Sequence, residues 1–357
     1  MLTLFIGMCS LVLFKVLSLY GIFKNPIVYK MVIALLILFP IILIITHLVG
    51  STTYSKLNSI LYTTTVIWFG NLLYIFCASL VLGVLYFFIK HADPSLLSVV
   101  AYVTIISVTS ISLYAVWNAS HPVVATMKVT IPNLSPLWHN KKIVLFSDTH
   151  LGLVRGEKFT EKVVALVNEQ HPDLVLMAGD MIDGPAIPYE TFSAPFKKIK
   201  STYGVFYTPG NHEWYNVEPE KFIGVMKHLT KALIDEKFFV NGTQIIGINY
   251  GMENSDATQA RLAQTGFDPS TPSIAMLHDP KNNDALIESG VSLVVSGHTH
   301  CGQFWPFPLI VKKIYGDKMY GVRQLGDQAT ITTCGIGTAF SPFRIGNKPE
   351  IVVIEVE

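Results

Sequence analysis

The stretch Lys142-Ile143-Val144-Leu145-Phe146-Ser147-Asp148-Thr149-His150 decides the reading of this chain. Its first half is a short apolar run of the kind buried on both faces of a sheet, and it ends on an aspartate and a histidine two positions apart. In extended backbone, residues i and i+2 leave the same face, so both side chains are expected to project together at the strand end. The pattern recurs downstream. Asp173 to Met177 leads into Gly179-Asp180-Met181-Ile182-Asp183-Gly184, and Gly204 to Tyr207 leads into Gly210-Asn211-His212-Glu213. Ser273 to Leu277 leads into His278-Asp279, and Ser292 to Val295 into Gly297-His298-Thr299-His300. Each block reads as a strand delivering Asp, Asn or His to one rim.

Helical spacing separates these strands. Phe159 to Gln170 places Phe159, Val163, Leu166 and Val167 on one face, and Lys221 to Leu229 predicts another helix. Val123 to Ile131 alternates loosely and predicts an edge strand; Gln244 to Ile248, Ala329 to Thr333 and Glu350 to Val356 predict further strands. Strands alternating with helices early, then strand-rich sequence late, point to an α/β layered domain. No internal repeat or low-complexity segment interrupts it.

The chain ahead of this domain has a different character. Of 357 residues, 50% are hydrophobic and only 14% charged, against roughly 25% charged in a soluble protein. From Met1 to Ser120 the charged residues are Lys15, Lys24, Lys30, Lys56, Lys90 and Asp93 alone. Apolar stretches near 2–22, 27–49, 64–89 and 96–117 each approach the ~20 residues that cross a bilayer, so four spans are expected. The first carries no basic segment ahead of its apolar core, which argues against a cleaved signal peptide. The division is thus 1–119 for a transmembrane region with four helices and 120–357 for a catalytic domain. An even number of spans puts the amino terminus and the large domain on one side. Lys24, Lys30 and Lys90 flank the first and third loops against Lys56 and Lys128 at the others, which favours an exported catalytic domain. No Lys/Arg-rich run or basic stripe appears, so a nucleic-acid-binding footprint is excluded. Cys9 and Cys77 lie in the membrane part and Cys301 and Cys334 in the catalytic part, and no disulfide framework is readable from them.

Oxygen ligands and imidazoles in this number suit a pair of divalent cations. Two ions about 3.5–4 Å apart can clamp a phosphoryl group and activate water between them. Asp148, Asp180 and Asn211 can supply oxygens; His150, His278, His298 and His300 can supply nitrogens. Singly, each block has an ordinary explanation: a surface Asp-x-His pair, a Gly-Asp turn, an Asn loop cap. Their coincidence in one domain does not. Mixed oxygen and imidazole ligation accommodates Mn, Fe or Zn.

The ordered blocks Asp148-x-His150, Gly179-Asp180-x-x-Asp183, Gly210-Asn211-His212-Glu213, His278 and Gly297-His298-x-His300 resemble the calcineurin-like metallophosphoesterases. The resemblance runs from about Ser120 to the carboxyl end. It is nearest to a bacterial membrane-associated branch, with a last block Gly-His-Thr-His-Gly-Gly-Gln, that includes phosphodiesterases and a UDP-diacylglucosamine pyrophosphatase. It implies a four-layer αββα sandwich. It also implies one metal on Asp148, His150, Asp180 and His300, and a second on Asp180, Asn211, His278 and His298, with Asp180 bridging. His212 would protonate the leaving oxygen and Asp183 would orient it. Gly184 stands where the superfamily's phosphoprotein phosphatases carry Arg, which argues against a phosphoprotein substrate. Cys301 stands where the branch has Gly and reads as a packed bystander. Arg344, in the family-like tail, is a candidate phosphate contact.

The expected activity is metal-dependent hydrolysis of a phosphodiester or pyrophosphate bond, through a hydroxide bridging the two ions, on a membrane-proximal or lipid-linked substrate. A domain anchored beside membrane lipid supports this, as does the apolar segment Gln303 to Ile310, read as a Pro-stiffened loop next to the last ligands. An anchored phosphodiesterase for a soluble nucleotide or sugar phosphate is the alternative. A non-catalytic membrane scaffold is a third, disfavoured because none of the seven inferred ligands is missing. The expected location is multi-pass in a bacterial cytoplasmic membrane.

Overall fold

The computed structural model describes residues 2–356 apart from 133, 135, 185–186, 217 and 252–253, and the side chains at 2–8, 10–11, 24 and 136 lie outside the description. The chain divides into two compact units, Met1–Trp117 with Ser341–Phe343, and Asn118–Phe340 with Arg344–Glu357.

The first unit is built from α1 (Leu2–Leu19), α2 (Pro26–Gly50), α3 (Lys56–Ile89) and most of α4 (Pro94–Ala119). Asn25 caps α2, its side chain accepting from the Ile27 amide at 2.8 Å, and Pro26 takes the first turn, where no amide is needed. Polar ties sit among the apolar side chains: Asn58 Nδ2 donates to the Thr46 carbonyl at 2.9 Å, and Ser112 Oγ to Asn71 Oδ1 at 3.0 Å. Such bonds join helices that have no hydrophobic drive toward each other in lipid. Among the described residues, α2, α3 and α4 are the helices long and apolar enough to cross a membrane, three rather than the four expected. The first expected stretch, 2–22, stops being helical at Leu19, and Gly21 turns left-handed at φ 72°. Half of the side chains of α1 lie outside the described residues. With three such helices among the described residues, the even-number argument for orientation loses its support.

The second unit holds, among the described residues, β1 (Val123–Val129), β2 (Lys142–Phe146), β3 (Leu174–Ala178), β4 (Val205–Thr208), β5 (Lys231–Ala232), β6 (Glu236–Val240), β7 (Thr243–Ile248), β8 (Ser273–Leu277), β9 (Leu293–Ser296), β10 (Gly321–Leu325), β11 (Gln328–Thr332) and β12 (Glu350–Val356). They form two sheets, ordered β1-β12-β2-β3-β4-β5 and β10-β11-β9-β8-β7-β6. The runs β2-β3-β4-β5 and β7-β8-β9-β11 are parallel. Parallel neighbours need crossovers. These carry α5 (Glu157–Glu169), α6 (Tyr189–Ser193), α7 (Asn211–Trp214), α8 (Pro219–Leu229), α9 (Ser255–Gln264) and α10 (Asn283–Glu288), and α11 (Phe307–Tyr315) lies between β9 and β10.

The two sheets share one core. Ile143, Leu145, Leu174 and Leu176 meet Ile245, Ile274, Met276 and Val295 between them. Their chain neighbours Val144, Val175 and Met177 point the other way and are equally buried, so the strands read as continuous apolar runs because both faces are covered. On the first outer face Phe146 meets Phe196, just beyond α6, with ring centroids 6.2 Å apart. On the second, Ile246, Ile248, Ala275 and Leu277 pack with Leu262 of α9 and Leu286 of α10. The layering is helix, sheet, sheet, helix, as expected.

One segment differs from its sequence reading. Gln303 to Ile310 is not a loop throughout; from Phe307 it is helical. The two prolines misled. Pro308 falls in the first turn of α11, where proline starts a helix instead of breaking one.

Candidate metal centre

The sheets end just before the chemistry begins. β2 stops at Phe146, and Asp148 and His150 follow with φ of 59° and 48°; Asp180, His298 and His300 have φ of 55°, 70° and 48°. The expected i, i+2 projection from extended backbone is therefore corrected. These side chains converge through left-handed residues at alternate positions, each costing of order 1 kcal/mol or more and held only where the surroundings over-determine it. Here two loops brace each other, with the Asp148 amide donating to Gly179 O at 2.9 Å, His150 to Asp180 O at 3.1 Å and Leu151 to Met181 O at 2.9 Å. Gly179, at φ 84°, admits no side chain, since a Cβ would lie 2.7 Å from His278 Nδ1.

Three donor groups result, each with atoms within 4.8 Å of one another: Asp148, His150 and His300; His150, Asp180 and His212; Asp180, His278 and His298. Asp180 belongs to two of them. His150 Nε2 and His300 Nε2 face each other at 2.9 Å, and Asp148 Oδ1 lies 3.4 Å from His300 Nε2. Asp180 Oδ2 lies 3.0 Å from His278 Nε2 and 3.9 Å from His150 Nε2. His298 Nδ1 is 3.3 Å from His278 Nε2. The residues fit a pair of cations on a further observation. Asn211 Oδ1, on the first residue of α7, is buried with no hydrogen-bond partner, an orphan that a ligated ion would satisfy. His278 Nδ1 donates to the Ala178 carbonyl at 2.6 Å, which leaves its Nε2 aimed inward with a lone pair to offer.

The electrostatics favour positive charge beside Asp148 and Asp180, while burial holds the His298 and His300 pKa values down. Burial alone would raise the pKa of Asp148 and Asp180, but the facing histidines outweigh it and hold both carboxyls below their usual range. Burial lowers the His278 pKa, yet Asp180 overrides it and carries it up to about 10. A pocket that draws a proton onto His278 this strongly also draws a cation, which competes for the same nitrogen.

His212 stands at the edge of this cluster, its side chain 28% exposed where Asp180 and His150 are buried. Its Nδ1 lies 3.1 Å from Asp183 Oδ1, and its backbone amide donates to Asp180 Oδ1 at 2.8 Å. Burial works against its proton, but the bond to Asp183 and the Asp180 charge raise its pKa to about 9.

Two residues hold the cluster without having been singled out for it. Glu213 is fully buried, and its carboxylate accepts from the amides of Asp180 at 2.9 Å, Met181 at 2.6 Å and Gly210 at 2.6 Å. The legible signal was the capping-box spacing of Gly210 and Glu213. Arg344 is fully buried too. It donates to the carbonyls of His300 at 3.0 Å, Cys334 at 2.7 Å and Gly337 at 2.7 Å. Closed off from solvent, with Nη1 and Nη2 engaged by these carbonyls, it serves as an internal brace, which corrects the reading of Arg344 as a phosphate contact. Cys301 is corrected as well: it forms a disulfide with Cys334 across a Cα separation of 5.0 Å. The bond ties the residue after His300 to the loop whose Gly335 lies against Asp148.

A cavity of about 220 Å³ adjoins the cluster, lined by Tyr250, Leu277, Asp279, Lys281, Ile314 and Tyr315 among others. Asp279 Oδ2 is 3.8 Å from His298 Nε2, and the Tyr315 and His298 rings are 6.2 Å apart.

The family model described as calcineurin-like phosphoesterase matches residues 141–302. An uncharacterized metallophosphoesterase of Campylobacter jejuni is 32% identical over 66% of this chain and 63% of its own length. One from Helicobacter pylori is 34% identical over 64% of this chain and 63% of its own. A bovine protein named transmembrane protein with metallophosphoesterase domain is 27% identical over 68% and 59%. The chain thus spans under two thirds of the length of these relatives.

Proposed function

We propose that this chain, whose residues 141–302 match the family model described as calcineurin-like phosphoesterase, hydrolyses a phosphodiester or pyrophosphate bond in a membrane-proximal or lipid-linked substrate. Asp148, His150, Asp180 and His300 would hold one divalent ion, and Asp180, Asn211, His278 and His298 the other. When bound, the two ions supply a water nucleophile at neutral pH and offset charge developing on the phosphoryl oxygens. His212 holds a proton on the side of the cluster nearest solvent and gives it to the departing oxygen, with Asp183 fixing the ring through Nδ1. Glu213 keeps Asp180 in place by accepting from its amide.

The observation that carries this reading is the convergence of Asp180 with two donor groups and the unpartnered Asn211 oxygen. The membrane-proximal part is supported by three helices apolar enough to cross a bilayer. Exposure of the domain to an oxidising compartment is supported by the Cys301–Cys334 bond, since disulfides persist there and are rare in the cytosol. The test is a substrate panel on full-length protein in detergent with manganese: an aryl phosphodiester, a soluble nucleotide diester, a phosphomonoester and an acylated pyrophosphate. Turnover of the diester and pyrophosphate bonds, fastest on the acylated compound, is expected. Turnover confined to soluble nucleotides would replace the lipid-linked substrate, and none on any compound would defeat the reading.

A further inference from the structure

Helix α11 carries its apolar residues where a core helix would, at Phe307, Ile310, Val311 and Ile314, the i, i+3, i+4, i+7 stripe that ordinarily faces a protein interior. None of its residues is buried. Ile310 is 52% exposed and Ile314 64%, with Leu309 at 65% beside them and Trp305 at 55% just ahead. Lys313 borders the stripe beside Ile310 and Lys312 stands further round the helix, both exposed. An apolar stripe on a short helix, with lysines outside it and an aromatic at the end, is the make-up of a helix lying in a lipid interface. The lysine stems can run along the apolar edge and set their ammonium groups among headgroups. The helix is also coupled to the catalytic cluster, because Ile314 and Tyr315 line the cavity beside His298.

We propose that α11 docks on the bilayer, its stripe sunk into the headgroup boundary and Lys312 and Lys313 engaging anionic lipid, so that the headgroup of an amphiphilic phosphoester enters the cavity beside His298 without leaving the membrane. The occupant is a lipid surface because the flanking charge is cationic and because α2, α3 and α4, apolar enough to cross a membrane, keep a bilayer within reach. The proposal rests on the membrane-proximal reading above and deepens it by naming the contact.

The test reads position, not catalysis. Full-length protein is reconstituted in vesicles of phosphatidylcholine and phosphatidylglycerol, with or without bromine on the acyl chains near the headgroup. The Trp305 contribution is isolated by subtracting the Trp305→Phe protein. Quenching of that contribution by roughly half or more is expected for a ring at the interfacial depth of such helices. Replacing Lys312 and Lys313 by Ser should lower the quenching in anionic vesicles and leave it unchanged in pure phosphatidylcholine. A Trp305 signal blind to bromine overturns the proposal; if it is also shielded from acrylamide, protein covers the face, as a second copy or another partner. Since no turnover is measured, failure here leaves the hydrolase reading intact, and a catalytically inert protein that still shows quenching leaves this one intact.

Discussion

His300 and helix α11 lie a few residues apart and break the usual rule of burial in opposite directions. His300 is 8% exposed amid carboxylates and imidazoles, whereas Ile314 is 64% exposed to solvent. Buried polar groups are retained only when something satisfies them, and large exposed apolar surfaces mark places where something else comes to lie. Helix α5 is the control. It has the same spacing as α11, at Thr160, Val163, Val164 and Val167, and buries all four. The difference between α5 and α11 is therefore not in their patterns but in what each faces. Under the readings proposed above, each inversion in the last third of the chain answers to a partner from outside it, cations in one case and lipid in the other.

The contrast can be broken at several points. Asp180→Asn should lower the rate of aryl phosphodiester hydrolysis by about 10³-fold while circular dichroism shows an intact fold; a near-normal rate would remove Asp180 from the centre. Val167→Asp in α5 puts a carboxylate in a closed interior and should cost about 4 kcal/mol or more in denaturant unfolding. The matched change Ile310→Asp in α11 should stay within about 0.5 kcal/mol in detergent. Equal costs would mean that α11 is packed and not exposed. Replacing Cys301 and Cys334 by Ser should lower stability by about 2–4 kcal/mol, with reductant doing the same to the unaltered protein; no change with reductant would mean that the thiols are free.

The smallest effect concerns the anchor just beyond α11. Lys318 Nζ and Arg323 Nη1 reach the Asp284 carboxylate at 2.6 and 2.9 Å. Burial raises the Asp284 pKa, but the bonds to Arg323 and Lys318 outweigh it and leave it below the ordinary value of 3.8. A carboxyl lowered on folding adds stability above its unfolded pKa and loses it as pH falls through the folded one. Asp284→Asn should thus melt slightly lower than the parent at pH 7, and the gap should close as pH drops below about 4. A gap that persists there would exclude the ion pairs as its cause.

Much of the site was legible because its logic is local. An apolar run of five residues followed by Asp, Asn or His is visible without knowing the partner strand, and the seven ligand candidates lie where such runs end. What escaped depended on distance or on backbone. Glu213 and Arg344 act mainly through main-chain groups elsewhere in the chain, and only the Gly210–Glu213 spacing leaves a trace of this in the sequence. The Cys301–Cys334 bond closes a separation of 33 residues and needs the fold before it can be paired. The left-handed turns at Asp148, His150, Asp180, His298 and His300 fall on residue types that tolerate that conformation without announcing it as glycine would. Helix α11 was hidden because Pro306 and Pro308 read as breakers, and because an apolar run of that length shows little period until its lysines are counted.

The central claim is that the dispersed donors hold two cations that hydrolysis requires. It is tested most directly by stripping the full-length protein with chelator and returning manganese in steps while following aryl phosphodiester hydrolysis. The account predicts an inactive stripped protein whose rate climbs and levels off at two ions per chain. Hydrolysis that survives complete stripping, or a plateau reached at a single ion, would contradict it.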